Sequence, residues 1–205
     1  MTTDIPANRC AGVDGCRGGW VVALDAREVV VVATFAEVLA LAAGVIAVDM
    51  PIGLPASGRR ACDTAARVAL GPRRSSVFPV PTRPALAATS FAEVTGLSIQ
   101  AWNLVPKIRE VDACWLPRVV ECSPELSFAV AAGAPMTHRK HTPEGRAERL
   151  AVLGDVVTAA KGAATHDVLD AHACLLTARR VAAGTALTFG DRSRDECGRP
   201  MVVFA

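Results

Sequence analysis

The chain has no C-x-x-C pair, no uninterrupted apolar stretch of the roughly 20 residues a membrane-spanning helix requires, and a formal net charge of only +2. Each absence excludes something. The seven cysteines are odd in number and scattered, which speaks against a zinc ribbon or a disulfide framework and leaves them as small core residues or idle thiols. His138-x-x-His141 lacks a nearby third ligand, so zinc is not expected there either. Residues 1–9 are mostly polar with no apolar signal-peptide core behind them, from which a cytoplasmic protein is expected, with no membrane partner. A charge of +2 does not describe a nucleic-acid coat. Its distribution is uneven, however: residues 51–118 hold nine Lys or Arg against four acids, while the remainder is acidic.

What is present is a 205-residue chain that is 51% apolar, enough for one globular domain over 1–205 with an insertion at 56–117. Its organising stretch is Ala11-Gly12-Val13-Asp14-Gly15-Cys16-Arg17-Gly18-Gly19-Trp20-Val21-Val22-Ala23-Leu24. This reads as a β-hairpin, with glycines 15, 18 and 19 able to take positive φ at the turn. Taken alone, Asp14 is an Asp-Gly turn residue. A third strand at 28–33 completes a meander, and a helix follows over 35–43, with Thr34 as N-cap and Gly44 as stop. Val45-Ile46-Ala47-Val48-Asp49 is then a buried strand that can run parallel to the first. It ends in a carboxylate where ligands of such sheets collect, although Asp49 could instead cap the turn at Ile52 or Gly53.

Within the insertion a helix is expected over 61–70, followed by a long loop through 71–84 whose four prolines exclude a regular helix. Arg73, Ser75 and Arg83 in that loop suit phosphate oxygens, or form a solvated basic surface. Further helices are expected over 91–104 and from Pro106, where Lys107 is either a substrate contact or an ordinary surface lysine. A short strand over 118–122 carries Glu121 at its carboxyl end. Thr142-Pro143-Glu144 opens a helix, and the cationic tetrad His138-Arg139-Lys140-His141 before it suits a visiting anion. The closing helix, with Thr165 as candidate N-cap, places Asp167 and Asp170 on one face, continued by Ala171, Cys174 and Ala178. For Asp167 the helix dipole is a competing explanation.

Asp14, Asp49, Asp167 and Asp170, with Glu121 as a fifth, are too many carboxylates to gather without a compensating cation. An all-oxygen donor set points to Mg²⁺ or Mn²⁺. Two such ions serve the in-line hydrolysis of a phosphodiester.

Taken together, Gly12-Val13-Asp14-Gly15-Cys16-Arg17-Gly18-Gly19-Trp20, Asp49-Met50-Pro51-Ile52-Gly53-Leu54-Pro55, the run from Pro106 to Asp112, Glu121-Cys122-Ser123-Pro124-Glu125 and Asp167-Val168-Leu169-Asp170-Ala171 resemble the domain of unknown function 429 family, described as predicted RNase H-like nucleases. The resemblance spans nearly the whole chain. It implies an α/β, ribonuclease H-like mixed five-stranded sheet of order 3-2-1-4-5 flanked by helices, with the insertion between strands 4 and 5. It also implies a metal site made by the acids of the first strand, the fourth strand and the last helix. The Asp167-x-x-Asp170-Ala pair is similar to the final helix of Holliday-junction resolvases of this fold, in which both acids act. The fourth-strand acid of such nucleases is often glutamate; here it is the shorter Asp49.

The resulting expectation is a Mg²⁺- or Mn²⁺-dependent nuclease or phosphodiesterase acting on DNA or RNA. Asp14 bridges the metals, Asp49 and Asp170 complete them, and Asp167 or Glu121 holds a second ion or orients water. Arg17, Arg73, Ser75, Arg83, Lys107 and Lys140 face substrate. Two other readings stand beside it: an actin-like nucleotide-binding phosphotransferase, for which a second phosphate loop is missing, and a non-catalytic nucleic-acid-binding module of the same fold. The oligomeric state, monomer or homodimer, is left open.

Overall fold

A computed structural model describes residues 9–205; most of the polar segment that bears on a signal peptide lies outside the described residues. Strands β1 (Cys10–Cys16), β2 (Gly19–Ala23) and β3 (Val29–Val32) form the antiparallel meander, helix α1 (Phe35–Ala40) returns the chain, and β4 (Val45–Val48) pairs parallel to β1. Strand β5 (Val119–Glu121) pairs parallel to β4, which gives a five-stranded sheet of order 3-2-1-4-5. The mixed sheet thus has the expected order.

Local signals explain the element ends. Thr34 accepts from the amide of Glu37 and Glu37 reaches back to Ala33 and Thr34, a capping box that fixes the start of α1. The helix stops three residues before the expected 43. Only Gly19 of the hairpin glycines has positive φ, at 133°, and a Cβ there would meet the Val32 carbonyl at 2.1 Å. Gly15 and Gly18 have no such φ; the Lys107 side chain lies against Gly15, where a Cβ would stand 2.8 Å from its Cδ.

One face of the sheet packs Ala11, Val13, Trp20, Val22, Ile46 and Val48 against Phe35, Val38, Ile108 and Val111. The last two belong to α5 (Val105–Cys114), so the end of the insertion covers the sheet instead of standing apart. The other face receives α8 (Thr165–Ala182) through Val168, Ala171, Cys174, Leu175 and Ala178. The small residues of that stripe and Gly12 bring the backbones together: a Cβ on Gly12 would stand 2.0 Å from the Leu175 nitrogen and 2.2 Å from the Ala171 carbonyl oxygen. This near-contact carries Asp170 over the end of β1.

Within the insertion, α2 (Ala61–Leu70) matches its expected bounds. The loop after it is partly ordered as a 3₁₀ helix over Gly71–Ser76 and a short α3 (Arg83–Ala87). In place of one helix over 91–104 there is a 3₁₀ turn at Phe91–Glu93 and a single-turn α4 (Ile99–Trp102), because Gly96 takes φ +77° between them. Helices α6 (Pro124–Ala132) and α7 (Pro143–Leu153) follow β5; Thr142 caps α7 through the Gly145 amide. A two-stranded ribbon of β6 (Thr188–Phe189) and β7 (Val203–Phe204), not foreseen from the pattern, packs Val203 and Ala205 on Cys62, Ala66 and Leu126. Among the described residues no helix is long and apolar enough to cross a membrane.

Candidate functional site

Val13 and Val48 are register partners on parallel strands, and the Asp49 amide donates to the Val13 carbonyl at 3.0 Å. Asp14 and Asp49 therefore leave the sheet side by side at the carboxyl ends of β1 and β4. Asp14, Asp49, Asp167 and Lys140 line one cavity of about 260 Å³, and Asp49, Asp170 and Lys140 line an adjoining one. Asp14 is 7% and Asp170 2% exposed.

The charges show how the residues sense one another. Burial pushes the Asp14 carboxyl well above its usual range, and the neighbouring Asp49 and Asp170 push it further. Burial followed by Asp170 raises Asp49 to about 7. Asp170 is also raised by burial, although the Lys140 Nζ donates to its Oδ2 at 2.5 Å and works against that rise. Burial alone would lower Lys140; Asp170, Asp14 and Asp49 together hold it above the ordinary lysine value. Among the described residues Lys140 is the one ion-pair partner of Asp14, Asp49 and Asp170.

A family profile described as a protein of unknown function (DUF429) matches residues 12–194, and so includes every one of these groups. The chain belongs to this family. No curated protein and no solved structure matches it.

The other expected site residues of this DUF429 chain divide into those near the acids and those that support them. Glu121 lines the first cavity with Asp14 and Asp49, and its carboxylate is already engaged by other groups. Arg60 grips it with two donors, Nη2 to Oε1 at 2.6 Å and Nη1 to Oε2 at 2.7 Å, and the Ile52 amide donates to Oε2 at 2.8 Å. Both oxygens are engaged, so Glu121 anchors the Met50-Pro51-Ile52 turn immediately after Asp49. Arg60 also holds Asp63 and the Gly53 carbonyl. Asp49 itself does not cap that turn; among the described residues its carboxylate accepts no hydrogen bond.

Asp167 lines the acid cavity but also caps α8, accepting from the Ala164 amide at 3.1 Å, with Ala164 instead of Thr165 at the N-cap. Arg73 and Ser75 lie beside Asp49 and Asp170 in the adjoining cavity. Arg83 is bound to Asp112 and Asp195, away from the acids, because it pins the end of the proline-rich loop. Lys107 donates to the Gly19 carbonyl and lies 4.4 Å from the Trp20 ring centroid, a brace for the hairpin. Arg17 is exposed at the hairpin tip and lines neither acid cavity.

Arg60 and Arg149 are the residues sequence reasoning missed. Arg149 is 1% exposed and donates to Glu125 and to the carbonyls of His138 and Gly145, fixing the segment that delivers Lys140. Arginine on an otherwise mixed helix carries no sequence signal for burial; the cue available was the excess of acids that must find partners.

The donor chemistry fits a hard divalent cation: carboxylate oxygens, more negative charge than one lysine offsets, and an Asp49 carboxylate with no hydrogen-bond donor among the described residues. The arrangement is open, since among the described residues no three His, Cys, Asp or Glu side chains lie together closely enough to grip an ion. Lys140 already offsets part of this charge through its ion pair with Asp170.

Proposed function

We propose that this protein is a Mg²⁺- or Mn²⁺-dependent phosphodiesterase acting on nucleic acid, with Asp14, Asp49 and Asp170 as metal ligands. The observation that carries this reading is the gathering of three mutually repelling carboxylates, Asp14 and Asp49 from adjacent parallel strands and Asp170 from a helix held close by Gly12. Such a cluster costs stability and is repaired by a divalent cation. A bound cation would supply a water nucleophile at neutral pH and stabilise the leaving oxygen.

The chain's own residues do the rest. The Gly15 amide donates to Asp14 Oδ1 at 2.7 Å, which fixes the carboxylate's orientation. Glu121 and Arg60 hold the turn that follows Asp49, and Arg149 holds the loop that presents Lys140. Arg73, Ser75 and Lys140 lie where phosphate oxygens would pass beside Asp49 and Asp170. A cytoplasmic location belongs to the same proposal, supported by seven cysteines that all remain free thiols.

The experiment is cleavage of labelled single-stranded, duplex, hybrid and branched substrates with Mg²⁺ or Mn²⁺, against Asp14→Asn. Metal-dependent cleavage that disappears in the variant is expected. Absence of cleavage above that control across all substrates overturns the reading.

A further inference from the structure

The two cavities that hold the acids share an aromatic wall. Phe78 lines both, and also a third cavity behind them, and is 54% exposed. Among the described residues it stacks on no other ring, unlike Phe91, which meets Trp102, or Trp20, which meets Phe35. A phenylalanine ring is ordinarily buried, so one left this open forgoes part of its burial. The ring is nonetheless held in place. Arg67 donates to the Val77 carbonyl at 2.6 Å on one side, and the Arg83 amide donates to the Pro55 carbonyl at 2.8 Å on the other. Pro79 and Pro81 restrict the backbone between them.

The surroundings of the ring are of two kinds. Toward Asp14 and Asp49 the wall continues through Val77, Val80, Leu104 and Ile108 and is apolar. Toward Asp170 it turns polar and mixed in charge, with Ser75 and Ser76, Arg73 paired to Glu125, Lys140 paired to Asp170, and Arg139, which is exposed and makes no ion pair among the described residues. An apolar wall beside a groove that offers two serine hydroxyls and the unpaired Arg139 matches a base and its phosphate. The cavity is small: about 260 Å³ lies just below the roughly 300 to 1,000 Å³ of ordinary ligand sites and suits one base.

We propose that Phe78 is a stacking platform for one unpaired nucleobase, so that the site takes a single-stranded nucleotide unit, either the end of a strand or a free mononucleotide, and not an intact duplex. This rests on the phosphodiesterase reading for the identity of the acids, but binding tests it separately from cleavage. The platform serves specificity: it orients the phosphate toward Asp49 and Asp170 and performs no step of the reaction.

The probe is a single-stranded oligonucleotide with a terminal 2-aminopurine, titrated in Ca²⁺, with three comparisons: the same strand with a terminal abasic site, its blunt duplex, and the mononucleotide. Quenching of 2-aminopurine on binding is expected. So is a loss of affinity of about 5- to 150-fold in Phe78→Ala, as follows from removing one base–aromatic stack, with recovery in Phe78→Trp. Because the ring is exposed, the variants should keep the wild-type melting temperature. The abasic strand should bind wild type as weakly as the normal strand binds Phe78→Ala, and the duplex should compete poorly. Competition by the mononucleotide at comparable affinity assigns the site to free nucleotides; competition only by the strand assigns it to strand ends. Equal binding of abasic and normal strands, insensitivity to Phe78→Ala, or no binding of any probe overturns the proposal. Cleavage of duplex as fast as single strand overturns it while leaving the phosphodiesterase reading intact.

Discussion

Removing a charge from the acid cluster should make the protein more stable, and Asp49→Asn is the cleanest case. Asp49 titrates near 7 in the folded chain, whereas in the unfolded chain it has the ordinary aspartate value near 4. The folded state therefore binds more protons between these values, and stability conferred at low pH is lost as pH rises from about 4 to about 7. Each pH unit across that gap corresponds to about 1.4 kcal/mol, for a ceiling near 4 kcal/mol. Asp49 is only partly buried, so contact with solvent weakens the repulsion, and a gain of ~1–3 kcal/mol for Asp49→Asn at pH 8 is expected, with little or no gain at pH 4.5. Urea denaturation in EDTA at the two pH values measures it. Mg²⁺ should raise the stability of wild type more than that of the variant, since the cation repairs the repulsion the variant lacks. A destabilised Asp49→Asn at pH 8, or a gain of equal size at both pH values, would refute the argument that repulsion dominates at this position.

Gly12→Ala should be among the most damaging single-methyl insertions in the chain. The helix α8 backbone would have to retreat by more than ~1 Å from atoms now 2.0 and 2.2 Å from the added carbon, at a cost of about 3 kcal/mol or more, visible in denaturant midpoint and in weakened divalent-cation binding. Arg60→Leu strips Glu121 and Asp63 of a shared buried partner and should cost about 3–5 kcal/mol; a loss under 1 kcal/mol would show that water replaces the guanidinium. Lys140→Met removes the cation on Asp170, so the metal-free protein should melt lower while the Mg²⁺-induced rise in melting temperature grows. An unchanged rise would mean that Lys140 and the cation do not compete.

By itself the sequence determined the sheet and the acids at its carboxyl end. Strand runs and the Thr34 and Thr142 caps are local features whose energetics act within a few residues, and from their order the parallel return of β4 beside β1 follows. Asp14, Asp49 and Asp170 were legible because acids closing apolar strands or lying on a small-residue helix face are costly without a purpose. Tertiary structure decided the partnerships. That Glu121 is an anchor for Arg60, that Lys107 braces the hairpin, that Arg83 pins a loop and that Lys140 neutralises Asp170 all depend on contacts between residues 30 to 112 positions apart. A charged side chain has the same appearance in sequence whether it meets an ion, a substrate or another side chain. Which of these it meets is set by the packing of the whole chain, through burial that strengthens electrostatic interactions far beyond their value in water. The same holds for Phe78, which in sequence is one apolar residue in a proline-rich loop and in the fold is the exposed wall over the acids.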